Sequence, residues 1–410
     1  MSVVLFENAN LFDGVTPELI TQASVLVADN EIKEVSLGTI QSNTADRVDC
    51  RGKTLLPGLI DNHVHIYIDS LKLSPPQPPP TYRAHYAQKF LRHMLSSGFT
   101  SVRDVAGGDH GMAMALRDRL LEGPRFYYGG LALTPTGGHG DFRLLHQSTE
   151  YCGCGTLHNV LAVHADGVDE CIKATREELR KGASHIKIMG SGGVISPSDP
   201  LERCQYSEAE IRAVVEECTR HGAYVCAHCH PAEAIRRCVE FGVRSIEHGS
   251  LIDEETAEFV ARRGAYVVPT LSVGFALMED GTRIGLSDIS RQKLQRVLDR
   301  MLGGLEIMKR AGVKMGFGTD LLGEQHVRHG TEFTLRSRAL PSFDILHSAT
   351  AVNAEILQMQ GRLGVVAPGA LADLLVVQGD PLADISLLAA GGQHLTHIML
   401  DGHFVKRLDG

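Results

Sequence analysis

Leu55-Leu-Pro-Gly-Leu-Ile-Asp-Asn-His63-Val-His65 is an apolar run that ends in two histidines one residue apart. On an extended strand, residues two apart share a face. His63 and His65 can therefore grip one cation together. Alone, an H-x-H pair at a strand end is weak evidence, and its meaning depends on what the rest of the chain places beside it.

Downstream, short apolar runs alternate with stretches of 3.6-residue periodicity. Strands are expected at 54–66, 100–105, 125–131, 185–189, 223–228, 245–248, 265–271 and 314–319. Helices are expected over 82–97, 169–181, 207–221, 232–241, 254–263 and 290–311. Ser207-Glu-Ala-Glu210 has the residue types of a capping box. Gly98, Gly182, Gly222, Gly242, Gly264 and Gly312 follow helices just before strands, where a left-handed residue ends a helix. About eight strands, each followed by a helix, is the pattern of a parallel (β/α)8 TIM barrel. A doubly wound open sheet is the alternative, but its glycine-rich phosphate turn has no counterpart here.

In such a barrel the chemistry sits at the C-terminal ends of strands. The fourth strand carries His185-Ile-Lys187, a lysine inside an apolar run, which is costly unless its charge is neutralised or used. The fifth ends Cys226-Ala-His228-Cys-His230, the sixth Ile246-Glu-His248 and the eighth Gly316-Phe-Gly-Thr-Asp320. Singly, His248 reads as a core histidine and Asp320 as a helix cap. Jointly, five strand ends offer a metal-competent or ionisable group at one level, which points to a metal centre.

The ends of the chain differ from the middle. Residues 1–55 and 358–410 are β-rich with turn signals such as Asp29-Asn30, and neither is long enough for its own core. They are expected to form one composite β-sandwich around a 56–357 barrel. The 410 residues are 43% hydrophobic and carry a net charge of −9, which makes no case for nucleic acid or an anionic membrane. No apolar run reaches membrane-spanning length and the first residues do not read as a signal peptide, so a cytoplasmic protein is expected. Nine scattered cysteines fit reduced thiols, and Cys152-Gly-Cys154 lacks a matching pair for zinc. The proline run 74–80 reads as a stiff surface loop.

The order H-x-H, K, H, H, D closely resembles the amidohydrolase superfamily, and the likeness covers nearly the whole chain. Gly369-Ala-Leu-Ala-Asp-Leu-Leu-Val-Val377 and Gly379-Asp-Pro-Leu382 are further marks of it. Ile186-Lys187-Ile-Met-Gly-Ser-Gly-Gly-Val194 and Thr136-Gly-Gly-His139-Gly-Asp141 resemble the dipeptidase-like branch, with prolidases and relatives cleaving before Arg or Lys. The imidazolonepropionase branch is nearby but lacks the bridging lysine.

The resemblance implies two divalent metal ions, Zn2+ first, with Mn2+ or Co2+ able to occupy the same site. It implies that Lys187 is carboxylated by CO2 and that the carbamate bridges the metals. His63, His65 and Asp320 would complete one site, and His228 and His248 the other. A bridging hydroxide would attack, with Asp320 as general base and then general acid. His139 and His230 resemble positions that hold the substrate carboxylate. The expected function is a binuclear amide hydrolase cleaving Xaa-Pro dipeptides. An Xaa-Arg/Lys dipeptidase, a cyclic amidase or lactonase, and a non-catalytic metal-binding barrel are the alternatives. The expected partner is a small-molecule or dipeptide substrate, within a homo-oligomer.

Overall fold

The structure, a computed structural model, describes residues 3–70, 78–141, 143, 161–196 and 199–408. The first five strands are β1 (Val3–Leu11), β2 (Ile20–Ala28), β3 (Glu31–Leu37), β4 (Asp46–Asp49) and β5 (Lys53–Pro57). β2 and β3 form a hairpin in which Ala28 faces Glu31, leaving Asp29-Asn30 as the turn. Asp29 takes the left-handed conformation that such a turn needs, at φ 55°.

Parallel strands follow in two groups. β6 (Leu59–Val64), β7 (Phe99–Asp104) and β8 (Arg125–Tyr128) form one. The other has the order β10-β9-β11-β12-β13-β14-β15. Its members are β9 (Ala132–Thr134), β10 (Ala162–His164), β11 (His185–Met189), β12 (Tyr224–Pro231), β13 (Ser245–Leu251), β14 (Tyr266–Val268) and β15 (Lys314–Met315). Backbone bonds join the groups at both edges. Ser184 N–H donates to Tyr128 O at 2.9 Å, Asn62 N–H to Phe317 O at 2.9 Å, and Asp320 N–H to His63 O at 2.8 Å. The strands thus meet end to end in the manner of a β/α barrel. Ile186, Ile188, Val225, Ala227, Ile246, Val267 and Phe317 belong to its apolar core.

The helices are α1 (Pro80–Ser96), α2 (His110–Arg117), α3 (Val168–Arg180), α4 (Glu208–Arg220), α5 (Ala232–Glu240), α6 (Glu254–Arg263), α7 (Leu271–Asp280) and α8 (Asp288–Ala311). After β15 come α9 (Thr331–Arg336), α10 (Ser342–His347) and α11 (Asn353–Ile356). α4 starts with the expected capping box, Ser207 and Glu210 each bonding the other's backbone. Gly264 and Gly312 end α6 and α8 in the left-handed conformation.

The chain closes with β16 (Leu374–Gln378), β17 (Leu395–Leu400) and β18 (His403–Arg407). Both ends enter one sheet of order β18-β17-β16-β5-β1-β2-β3, with β4 beside β1. Phe6, Val25 and Leu55 from one end pack with Val376 and Met399 from the other, in a core separate from the barrel's.

Several expected strands differ in extent, among them 265–271, which is a strand only over Tyr266–Val268 because Leu271 already opens α7. The run 54–66 is two strands, because β5 pairs with β16 in the terminal sheet while β6 enters the barrel. Gly58 lies between them, where a Cβ would come within 2.0 Å of Thr100 Oγ1. The run 125–131 breaks at Gly129-Gly130 into β8 and β9, with Gly130 at φ 70°. The last strand shortens to β15, and the chain reaches Asp320 without further pairing in a named strand. Cys152, Cys154 and residues 74–77 lie outside the described residues. Pro80 opens α1 at a position where proline's missing N–H is no loss. Among the described residues, no helix is long and apolar enough to cross a membrane.

Candidate metal centre

The eight residues singled out in the sequence line one cleft at the strand ends: His63, His65, His139, Lys187, His228, His230, His248 and Asp320. The cleft encloses about 950 Å³, its open mouth included. His63, His65 and Asp320 offer ligand atoms that all lie within 4.8 Å of one another. Asp320 Oδ1 is 3.2 Å from His65 Nε2 and 3.5 Å from His63 Nε2.

Each of these rings is held from behind. His63 Nδ1 lies 2.7 Å from Glu247 Oε2, and His65 Nδ1 lies 3.0 Å from Ala106 O. His248 Nδ1 lies 2.7 Å from Thr270 Oγ1. A hydrogen on Nδ1 leaves Nε2 as the bare donor, which is how a metal-binding imidazole is oriented. His228 is turned the other way, with Nε2 3.3 Å from Gly192 O, so that Nδ1 is its bare nitrogen. The His228 and His248 ring centres are 4.5 Å apart, and those of His63 and His248 are 5.0 Å apart. Neutral imidazoles plus a carboxylate suit a borderline cation such as zinc.

The backbone that carries the ligands is unusual at two of them. His248 has φ 72° and Asp320 φ 54°. Such conformations cost free energy in side-chain-bearing residues and collect at functional sites. Asp61, wholly buried, ties β6 to the segment that carries Asp320: it accepts His63 N–H at 2.9 Å, Thr319 N–H at 3.2 Å and the Thr319 hydroxyl at 2.7 Å.

Burial and proximity set the charges. Burial pushes the His63 imidazolium down to about 4, against the pull of Asp320. It pushes His230 to about 3 and takes His228 and His248 well below the ordinary range. Asp320 has the opposite balance: burial opposes its charge, but His63 and His65 outweigh it and keep the carboxyl below its usual value. Glu247 is likewise held low, because Arg103 and His63 overcome its burial. Lys187 is 2% exposed and makes no hydrogen bond or ion pair among the described residues.

A second layer was not singled out in the sequence. Arg103 Nη2 donates to Glu247 Oε1 at 2.8 Å, and both side chains are fully buried. His139 stacks on His228 at 4.2 Å between ring centres. Its Nδ1 faces Asp199 Oδ2 at 3.6 Å, and the backbone N–H of His139 donates to Gln205 Oε1 at 3.1 Å. Lys293 from α8 ties down that loop by donating to the carbonyls of Gly193, Ser196 and Asp199 at 3.1, 2.7 and 2.5 Å. His230 Nδ1 lies 3.3 Å from Ser250 Oγ.

A β/α barrel with carboxylate and imidazole donors at its strand ends defines a scaffold for metal-assisted chemistry, and comparison with known proteins gives the family. The model of the amidohydrolase family matches residues 54–405, and the chain belongs to that family. It falls in the prolidase-like branch. A prolidase solved in complex with N-methylphosphonate-L-proline is 43% identical, with 99% of this chain and 100% of that chain covered at a TM-score of 0.94. An Xaa-Pro dipeptidase with methionine in its active site is 30% identical over 99% of this chain and 100% of that one, with a TM-score of 0.89. An ochratoxinase from Aspergillus niger is 31% identical over 375 residues, 87% of this chain and 76% of the relative. The family generally uses divalent metals, and its members act on small molecules.

Proposed function

We propose that this chain is a two-metal amide hydrolase that cleaves Xaa-Pro dipeptides. The observation that carries the reading is the set of buried imidazoles around Asp320, each with its rear nitrogen already bonded. His63, His65 and Asp320 would hold one Zn2+, and His228 and His248 the other. Lys187 would bridge them as a carbamate formed with CO2. Lys187 lies buried in the same cleft, and as a carbamate it would offer the cations an anionic ligand.

The metals, when bound, supply Lewis acidity toward water and toward the scissile carbonyl. Asp320 takes the proton of the attacking water and returns it to the leaving nitrogen. Glu247 and Asp61 keep His63 in register while this happens. His139 and His230 hold the substrate's carboxylate and fix the amide over Asp320. In the same reading the chain divides into a closed (β/α)8 barrel at 56–357 and a composite sandwich from 1–55 and 358–410, and it assembles as a homo-oligomer.

The 43% identity to a prolidase supports Xaa-Pro cleavage. The 31% identity to an ochratoxinase favours a second reading, in which the amide belongs to a toxin rather than a dipeptide. Metal analysis of the purified protein, with a panel of Xaa-Pro, Xaa-Arg and Xaa-Lys dipeptides, ochratoxin, hydantoins and lactones, separates these readings. Two zinc equivalents with fastest turnover of Xaa-Pro is the expected result. Turnover restricted to lactones or hydantoins would sink the dipeptidase reading.

A further inference from the structure

Behind the metal-facing side of β12 lies a pair of thiols that amide hydrolysis does not use. His228 and His230 point into the cleft, and Cys229 between them points the other way, into the helix layer. There it meets Cys238, two residues before the end of α5. The Cys229 S–H donates to Cys238 Sγ at 3.6 Å, and both residues are buried. The two sulfurs rest on the bare backbone of Gly190, where a Cβ would come within 2.6 and 2.7 Å of them. The N–H groups of Gly190 and Ser191 both donate to His228 O, at 2.9 and 3.1 Å. The thiol pair is thus wedged against the ends of β11 and β12, the strands that carry Lys187 and His228.

We propose that Cys229 and Cys238 form a modification site, which a hydroperoxide converts to a disulfide that lowers activity by displacing His228. The effect on activity rests on the reading above; the bridge itself does not. The sulfurs must close from 3.6 Å to about 2.05 Å. Close-packed surroundings pass such a shift on to the backbone, and Cys229 is joined by peptide bonds to both His228 and His230. α5 has nine residues, and local opening of its last turn admits a small peroxide to Cys238. As a thiolate, the Cys238 sulfur attacks one peroxide oxygen and becomes a sulfenic acid, while ROOH leaves as ROH with the thiol proton. The Cys229 sulfur then attacks that sulfenic sulfur, and water leaves with the Cys229 proton. Two thiols and one hydroperoxide give one disulfide, one alcohol and one water; the sulfurs lose two electrons and the peroxide gains them. Cys204, partly exposed and bridged through its backbone to Ser191, is the other thiol in the neighbourhood of Cys238.

The test treats the zinc-loaded full chain with hydrogen peroxide, blocks remaining thiols, and maps disulfides by mass spectrometry of a digest made without reductant. A Cys229–Cys238 bridge is expected. With it, kcat/KM for Ala-Pro should fall by roughly 10–100-fold, and zinc retention against a chelator should weaken by roughly tenfold or more. A phosphine reductant, with zinc resupplied, should restore both. Cys238→Ala should start at ordinary activity and show no peroxide loss that the reductant recovers; Cys238→Val serves if the Ala variant does not fold. No bridge after peroxide, a bridge from Cys238 to Cys204 instead, or a Cys229–Cys238 bridge that leaves both activity and zinc retention unchanged overturns the inference and leaves amide hydrolysis standing. Cleavage of no dipeptide by the untreated protein overturns the hydrolase reading, and the bridge with its weakened zinc retention then still decides the thiol pair.

Discussion

Glu247 grips His63 from the side opposite Asp320, with Oε2 2.7 Å from Nδ1 and neither group exposed. The same carboxylate neutralises the buried guanidinium of Arg103. Glu247→Ala leaves that guanidinium unpaired, and a loss of about 3–5 kcal/mol in stability is expected. Glu247→Gln keeps the shape but removes the charge behind the imidazole, and metal affinity is expected to fall by roughly 10–100-fold. Thermal melting and titration against a metal chelator read the two effects separately. Unchanged metal affinity in the Gln variant would reduce Glu247 to a core ion pair.

Lys187→Ala removes the proposed bridge between the metals. Activity is expected to fall by roughly 100-fold or more, with loss of one metal equivalent. Acetate or propionate, acting as a carboxylate in place of the carbamate, should restore part of both. Full activity with unchanged metal content in the Ala variant would end the carbamate reading.

Asp199 is expected to act through His139 rather than on the substrate. Asp199→Ala frees the ring that stacks on His228 and should raise KM for a carboxylate-bearing dipeptide by roughly 10–100-fold. The matching C-terminal carboxamide should show little change, and metal content should hold. Equal losses on both substrates would mean that Asp199 only supports the loop.

Two buried histidines away from the cluster predict an acid-sensitive fold. Burial pushes His326 down to about 3 and His329 to about 4. In the unfolded chain both titrate near 6.5, so below that pH the unfolded state binds more protons. Stability should therefore fall as pH drops from about 6.5 to about 4 for His329 and to about 3 for His326, by on the order of 3–5 kcal/mol for each histidine once its window is crossed. His326→Phe, which keeps the ring stacked on Phe90, should flatten part of that slope in thermal melts of the metal-free protein. An identical slope in the variant would refute the assignment.

Position at a strand end marks the cleft residues but not Glu247, although it sits next to His248 in the sequence. Regular alternation would turn those neighbours to opposite faces. The positive φ at His248 breaks the alternation, and both side chains reach His63: Glu247 by a hydrogen bond, His248 by ring contact. A pattern built on period two cannot foresee that. Asp199 and Lys293 escaped for a different reason. Their partners are backbone carbonyls and a ring brought near by the fold, which leave no mark in local composition. The expected eight strands were legible because burial enforces apolar runs. Their breaks at Gly58 and Gly130 were not, because those breaks answer to contacts with Thr100 and to the left-handed φ of Gly130.

Asn353 carries a consequence for the order of assembly. Its side chain donates to Ile60 O at 2.7 Å and Phe317 O at 2.8 Å, and accepts from Phe317 N–H at 3.0 Å and from the Asn62 amide at 2.9 Å. It thereby clasps the first barrel strand to the segment that delivers Asp320. On a growing chain, Asp320 and the clasp emerge long after His63 and His65. Pairings of such long sequence separation form slowly. The His63–His65–Asp320 triad therefore waits on the whole stretch between β6 and Asp320, and a chain stopped before residue 353 should hold that triad without the clasp that fixes its register.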